Sequence, residues 1–396
     1  MGKHLMEIKN LNFKDKDVFL RCDLNVPFND DDTLLDDTRI TSLIPTIKFL
    51  IKHEAKIILA SHFGRPKGKP NQKLSLVRII PYLEEYYNIS VRFIADILSQ
   101  ETANVIKQAD NKEILLLENL RFYKEEEEND KKFAQKLSQL ADIYINDAFS
   151  CCHRKHASID AITEFMPFYP GLLLEKEIKK LSDVLSFNKK PSMLIIGGKK
   201  ISSKISVLKS LADRMDKIVI TGVMANNFLK ALGYEIGNSF YEPDSVREAK
   251  SLYGKYKDKI ILPCDFVGKD NNNKPFIKDL SDISQGDCML DIGLNSCEKI
   301  SSIIKASEIV IWNGPIGFYE EPQYAVSSLY IARAIAYFTK YGNLTSVVGG
   351  GDAVAVAKIS GLENDFSYIS TGGGAFLEFL EKGDLIGLKN LRNKGT

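Results

Sequence analysis

Thr345-Ser346-Val347-Val348-Gly349-Gly350-Gly351-Asp352 reads as a short apolar strand that stops at three glycines, with an acid just beyond them. Two further stretches share the form. Met193–Ile196 runs into Gly197-Gly198, and Tyr368–Ser370 is followed by Gly372-Gly373-Gly374. A strand-to-helix turn without side chains lets backbone N–H groups approach a ligand, and the helix start behind it favours negative charge. One such turn is ordinary, because glycine serves any strained turn. Three in one half of the chain predict a large anionic ligand laid across the ends of several strands.

The same alternation of short apolar runs and longer amphipathic stretches fills the chain. Val18–Cys22, Lys56–Ala60, Val91–Ile94, Ile114–Leu117 and Ile143–Asn146 read as strands in the first half. Lys217–Thr221, Ile260–Leu262 and Ile309–Trp312 join the three glycine-bounded strands in the second. Leu43–Lys52, Asp130–Leu140, Val207–Arg214 and Gln323–Thr339 have helical spacing of apolar residues. Strands buried on both faces and separated by helices mean parallel sheets with right-handed crossovers. The fold class is therefore α/β, with two doubly wound, Rossmann-like parallel-sheet domains. Phe165–Gly171, with two prolines and a glycine, breaks the alternation, and a charged helical stretch follows. The expected division is residues 1–170, a hinge helix over 171–185, and 186–382. Glu125–Asp130 and Asp270–Lys274 read as solvated loops or helix starts.

The 396 residues exceed what one core usually serves, in keeping with two domains. Lys plus Arg (53) balance Asp plus Glu (52), which argues against a protein devoted to nucleic acid. No apolar run approaches the roughly 20 residues of a bilayer span, and Met1–Glu7 lacks the apolar core of a secretory signal. The expectation is a cytoplasmic protein with no membrane partner. Its six cysteines (Cys22, Cys151, Cys152, Cys264, Cys288, Cys297) form no Cys-x-x-Cys pair and no zinc spacing, so they are read as reduced thiols.

In the first half the strands end in polar residues. Asp23 and Asn25 follow the first, with Arg39 further on; His62 and Arg65 follow the second, Arg121 a later one, and Arg154 the last. Ligands of parallel sheets bind at the carboxyl ends of strands, so these residues should meet at one cationic mouth. Arginine suits bidentate recognition of phosphate and carboxylate. Singly, each has a plainer reading: Arg21 as an ion-pair partner, His62 as a hydrogen-bonded support, His153 or His156 as surface residues. Five cations at consecutive strand ends favour a site for a small, multiply anionic ligand.

The chain has no Walker loop, no His-Arg-Asp loop, no nucleophile elbow, and no Gly-x-Gly-x-x-Gly of a dehydrogenase. Cys151 is not expected to act as a nucleophile. An anion pocket in one domain and glycine-rich turns in the other point to direct phosphoryl transfer, which needs positioning and charge neutralisation rather than covalent help. Lys200 and Lys204, read as one helical turn apart, are placed to meet the transferring phosphate. Asp352 is the natural Mg²⁺ ligand, a role compatible with capping the helix.

These residues carry a resemblance. Arg21–Pro27, Ser61–Pro66, Glu118–Phe122, Asn146–Ser158, Gly197–Lys204, Leu262–Phe266, Trp312–Gly317, Gly349–Asp352 and Ser370–Ala375, in this order, resemble the phosphoglycerate kinases over nearly the whole chain. The resemblance implies 1,3-bisphosphoglycerate + ADP ⇌ 3-phosphoglycerate + ATP, with Mg²⁺, in a monomer working in glycolysis. It assigns Asp23, Asn25, Arg39, His62, Arg65, Arg121 and Arg154 to 3-phosphoglycerate. To the nucleotide it assigns Lys204, Gly293, Asn313, Glu320 (on the ribose), Gly350, Gly351, Asp352 and Ala353. Arg39, Lys200, Lys204 and Gly373 would act on the transferring group. It also implies that 383–396 completes the first domain and that the domains close about Phe168–Leu185 and Leu380–Gly383. The chain departs from the family pattern at Lys199, Ser203 and Ala353. At position 353 the family has a Thr or Ser whose hydroxyl would contact the nucleotide phosphate or metal shell, so weakened nucleotide affinity is expected. The alternative reading is a catalytically weakened nucleotide-binding paralogue of the same fold.

Overall fold

A computed structural model describes residues 7–111, 113–186, 188–389 and 391. The chain divides into two compact units, Met1–Lys180 with Asp384–Thr396, and Leu181–Gly383.

The first unit is built on β1 (Asp17–Arg21), β2 (Lys56–Ala60), β3 (Ser90–Ile94), β4 (Glu113–Leu117), β5 (Ile143–Asn146) and β6 (Phe168–Pro170). All pair parallel in the order β3-β4-β2-β1-β5-β6. Successive side chains of a strand point to opposite faces, and here both faces are covered. Val18, Leu20, Ile57, Leu59, Ile114, Leu116 and Ile145 enter one core with helices Ile44–Lys52 and Ile80–Tyr87. Phe19, Ile58, Ala60, Leu115, Leu117 and Tyr144 enter the other with helix Lys131–Ser138. Such strands must be apolar throughout, which is why they read as continuous runs.

The break read at Phe165–Gly171 is instead the sixth strand. Tyr144 aligns with Phe168 and Asn146 with Pro170. A proline is tolerated there because β6 is an edge strand that need not donate outward. Helix Leu172–Leu185 follows. Its first turn is capped by side chains from two other elements: Leu172 N–H donates to Thr46 Oγ1 at 3.1 Å, and Leu174 N–H to Asp147 Oδ1 at 2.9 Å. The boundary between the units falls inside this helix, at Lys180/Leu181, rather than at its two ends. Near the C-terminus, Gly387 N–H donates to the Cys152 carbonyl at 2.8 Å and Leu385 and Leu388 are buried. The rest of the expected 383–396 segment (390 and 392–396), like the N-terminal 1–6, lies outside the described residues.

The second unit contains β7 (Ser192–Ile196), β8 (Lys217–Ile220), β9 (Ile260–Ile261), β10 (Asp265–Lys269), β11 (Pro275–Asp279), β12 (Cys288–Ile292), β13 (Ile309–Asn313), β14 (Thr345–Gly349) and β15 (Tyr368–Ile369). Six form a parallel sheet, β15-β14-β13-β7-β8-β9. The other three make a small antiparallel sheet, β11-β10-β12. The sequence reading lacks this sheet. Asp270–Lys274 is its hairpin turn, closed by Asp270 N–H on the Lys274 carbonyl at 3.0 Å and by Asp270 Oδ1 accepting from Asn272 and Lys274 N–H. Among the described residues no helix is long and apolar enough to cross a membrane.

Candidate active site

In the first sheet the strand order reverses direction between β1 and β5, and open α/β sheets bind ligands at such a switch point. Asp23 lies just past β1. Its Oδ1 accepts from Arg39 Nη1 at 3.1 Å and from Asn25 N–H at 3.0 Å, while Oδ2 accepts from Ser150 Oγ beyond β5. Asn25 Oδ1 accepts from Gly64 N–H at 2.8 Å, tying the loops after β1 and β2 together. Asn119 clamps the next pair of loops: Nδ2 donates to the Phe63 carbonyl at 2.6 Å, and Oδ1 accepts from Phe63 and Arg121 N–H, each at 3.1 Å. Arg121, nearly buried, donates from Nη1 to the Gly64 carbonyl at 2.8 Å. Arg154 is half-buried after β5, and Arg65 is exposed on the loop after β2.

His62 is buried among these cations. Burial first, then Arg21, Arg121, Arg154 and Arg39, hold its imidazole well below the usual histidine range, so it is neutral. Arg21 Nη2 approaches His62 Nδ1 at 3.4 Å. A guanidinium can only donate, so Nδ1 accepts there and the proton sits on Nε2. Arg21 is fully buried, bonded through Nε to Ser158 Oγ at 2.8 Å and 4.0 Å from Glu126 Oε1. It supports the mouth as an ion-pair partner. His156, read as a possible surface residue, is buried against Glu126, and burial with Arg121 and Arg21 pushes its pKa down to about 3.

In the second sheet the switch point lies between β7 and β13, and the glycine turns after β7, β13, β14 and β15 stand on four neighbouring strands. Gly350 has φ +94°, and a Cβ there would meet Asn313 Nδ2 at 2.4 Å, so only glycine fits. Helix Gly351–Ile359 makes its first internal bond from Val354 N–H to the Gly350 carbonyl. The N–H groups of Gly351, Asp352 and Ala353 precede that bond, the arrangement that suits an anion at a helix start. Helix Gly374–Lys382 starts likewise, with Gly373 at φ +51° and nothing within 4 Å of where its Cβ would stand.

The first glycine pair behaves differently. Gly197-Gly198 leads into a turn, and the helix starts only at Ile205. Lys200 and Lys204 are therefore not one helical turn apart: Lys200 is exposed on the loop, and Lys204 is the residue before the helix. Lys204 Nζ donates to the Gly197 carbonyl at 2.6 Å. Burial pushes its pKa down to about 8, opposed by Asp352. Asn313 is buried, with Nδ2 donating to the Gly349 carbonyl at 2.6 Å and Oδ1 without a partner.

Beside these turns is a cavity of ≈ 340 Å³. Phe240, Phe266, Met289, Leu290, Ile292 and Ile316 supply apolar wall; Glu320 and Asp352 also line it. Most of that wall comes from the unforeseen antiparallel sheet and the turn after β13, and apolar lining has no motif to find it by. Gly293 is not on the wall. Its missing Cβ is explained by Asp265 Oδ2, 2.1 Å from where it would stand. At Ala353 the methyl is fully buried in the core, so only its backbone faces the helix start.

Two six-stranded parallel sheets, each with polar or glycine-rich turns at its switch point, agree with what the comparisons find. The phosphoglycerate kinase family model matches residues 8–383. The chain belongs to the phosphoglycerate kinase family. It is 43% identical over 389 residues to the phosphoglycerate kinase of Wolbachia pipientis subsp. Culex pipiens (strain wPip), covering 97% of this chain and 98% of that one. The enzyme of Orientia tsutsugamushi (strain Ikeda) is 43% identical over 397 residues, 98% of each chain. The structure of phosphoglycerate kinase from Coxiella burnetii matches with TM-score 0.86 and 33% identity over 99% of this chain and 100% of that chain. The enzyme is thus a phosphotransferase acting on a carboxyl acceptor, with phosphoglycerate kinase activity.

The family works on a magnesium-complexed nucleotide, and the residues present fit that ion. Mg²⁺ keeps several waters and takes one or two carboxylates plus substrate phosphates. Asp352 offers one exposed carboxylate at the glycine turn, to which the Tyr319 hydroxyl donates at 3.5 Å.

Proposed function

We propose that this enzyme transfers the phosphoryl group of 1,3-bisphosphoglycerate directly and reversibly to ADP, with the glycerate ligand at the strand ends of the first unit and the nucleotide in the cavity of the second. One observation carries the reading: each sheet opens an anion mouth at its own switch point, one lined by arginines, the other by glycine turns and Lys204. An oxygen of the ADP β-phosphate attacks the phosphorus, the bond to the acyl oxygen breaks, and the carboxylate leaves with the electron pair. That leaving group needs no proton, so no general acid is required, in keeping with a neutral His62.

Arg65, Arg121, Arg154 and His62 bind the glycerate ligand's anionic groups, and Asp23 and Asn25 its hydroxyl. Arg39 and Lys200 neutralise the transferring group, with Lys204 assisting and the Gly373 N–H donating to it. The adenosine fills the apolar cavity with Glu320 on the ribose. Asn313 and the N–H groups of Gly350, Gly351, Asp352 and Ala353 hold the phosphates. Asp352 would hold the Mg²⁺, which when bound supplies charge neutralisation to the nucleotide phosphates. Transfer requires the two ligands to meet with water excluded, by bending at Phe168–Leu185 and near Leu380–Gly383. All six cysteines carry free thiols, which supports a reducing, cytoplasmic setting.

The test is ADP release dependent on both ATP and 3-phosphoglycerate, lowered by about 10²–10³-fold in Arg39→Ala. Solution scattering should show compaction only with both substrates bound; none with either or both would overturn the closure step.

A further inference from the structure

Three donors of different chemistry converge beneath the arginines of the first unit. Cys151 Sγ lies 3.8 Å from His62 Nδ1, and His62 Nδ1 lies 3.9 Å from Asp23 Oδ1. All three donor atoms fall within 4.8 Å of one another. They come from the ends of β5, β2 and β1, so no spacing along the chain marks them. We propose that Cys151, His62 and Asp23 form a binding site for a borderline-soft divalent cation such as zinc, and that filling it blocks the glycerate ligand.

Sulfur, imidazole nitrogen and carboxylate oxygen together suit zinc and its chemical relatives rather than magnesium. Tetrahedral ligation at the usual zinc bond lengths separates such donors by about 3.3–3.7 Å. The observed separations therefore need a contraction of about 1 Å at most. Asp23 is already oriented, because Ser150 Oγ holds Oδ2 and leaves Oδ1 on the side of His62. Hydrogen-bonded support of this kind is what ligating carboxylates use. Asp23 is also partly exposed, so the cluster opens to solvent on that side.

The arginines do not forbid a cation here. Binding releases the Cys151 thiol proton to solvent, so the new thiolate and the carboxylate already paired with Arg39 balance the two charges of the ion, and the mouth gains one positive charge rather than two. Each of the three donors supplies a lone pair, and a solvent molecule takes the fourth position. The ion displaces Arg39 Nη1 and Asn25 N–H from Oδ1, and Arg21 Nη2 from both His62 Nδ1 and Cys151 Sγ. Arg39 keeps the Asn25 carbonyl, and Arg21 keeps Ser158 Oγ and the Cys22 carbonyl. Competition with 3-phosphoglycerate rests on the ligand placement proposed above; the metal site itself does not.

The experiment uses the full chain and Cys151→Ala, with cobalt(II) alone as the spectroscopic probe and zinc as the inhibitor. Wild type should develop a near-ultraviolet thiolate-to-cobalt band that Cys151→Ala lacks. Zinc should raise the apparent KM for 3-phosphoglycerate at constant kcat, reversed by a zinc-selective chelator. Cys151→Ala should keep its zinc-free rate and lose zinc sensitivity by about tenfold or more. The same cobalt spectrum or the same zinc inhibition in both proteins overturns the site. A cobalt band in wild type alone, with zinc inhibition indifferent to 3-phosphoglycerate, upholds the site and overturns the ligand placement.

Discussion

Arg39 is tied down by Asp23: its Nη1 donates to Oδ1 at 3.1 Å and to the Asn25 carbonyl, while a third of the side chain stays exposed. One nitrogen is thus spent on orientation, and the rest of the guanidinium is free to meet an anion. Arg39→Ala should lower kcat by about 10²–10³-fold, the usual cost of losing a donor aimed at developing charge. Arg39→Lys keeps a charge but loses the planar fork, so it should rescue only part of the rate. Both should melt close to wild type. Steady-state kinetics beside thermal melts check this, and a tenfold or smaller loss of kcat in Arg39→Ala would remove Arg39 from the transfer step.

With Lys204 in the role proposed for it, the reaction should have an alkaline limit. The ammonium is drawn down to about 8 by burial, and it must be charged to meet phosphate. Because kcat/KM reports groups of the free enzyme, kcat/KM for the nucleotide should fall as pH rises through about 8. An ordinary lysine would hold that limb near about 10.4. Lys204→Arg stays charged throughout, so its profile should be flat where wild type declines, at a lower absolute rate. A wild-type profile flat to about pH 10 would show that burial does not set the limit.

The parallel sheets were legible because strands hidden on both faces leave runs such as Ile57-Ile58-Leu59, with no polar position to confuse the period. The antiparallel sheet was not. β11 alternates between half-buried and exposed residues and starts at Pro275, so its apolar content is too thin to stand out. With it went the wall of the cavity beside the glycine turns, because Phe266, Met289 and Ile292 look like any core residues until they surround a space. The charged half-site was legible for the opposite reason: arginine and histidine at strand ends have few other uses in a buried sheet. Their supports, Ser150, Asn119 and Glu126, depend on which loops lie side by side, and the sequence does not display that. Lys200 and Lys204 were misplaced because a glycine pair was read as the door of a helix, and here it opens a turn.

Asp147 should make stability depend on pH in an unusual direction. It caps helix Leu172–Leu185 through Leu174 N–H, yet it is fully buried with Oδ2 unpartnered, and burial raises its carboxyl from 3.8 to about 6. A raised acid is destabilised when ionised. The cost is complete above about pH 6 and is relieved as pH falls toward the unfolded value near about 3.9. Asp147→Asn keeps an acceptor for Leu174 without the charge. It should melt above wild type at about pH 8, by at most about 2–3 kcal/mol of stability, with the gap closing by about pH 4. Melting both proteins across this range checks the sign; a gap independent of pH would mean that the carboxyl is not raised.

Ala353 separates what the family resemblance implies from what this geometry implies. A hydroxyl at this position was expected to strengthen nucleotide binding, so Ala353→Thr should then lower the KM for ATP and ADP. In the structure the Ala353 methyl is fully buried in the core, on the third residue of helix Gly351–Ile359, and only its N–H serves the helix start. Threonine adds two heavy atoms to that packed space, one of them a hydroxyl needing a partner. Overpacking costs about 1–3 kcal/mol, and a buried hydroxyl without a hydrogen bond about 1–3 more by mutational scales. The expected result is a melting temperature lower by several degrees with both nucleotide KM values within about twofold of wild type. Ala353→Ser, adding one atom, should lie between. If threonine instead lowered both KM values and left the melting temperature alone, the side chain at 353 would have to reach the nucleotide, and this helix start would be turned from where it stands.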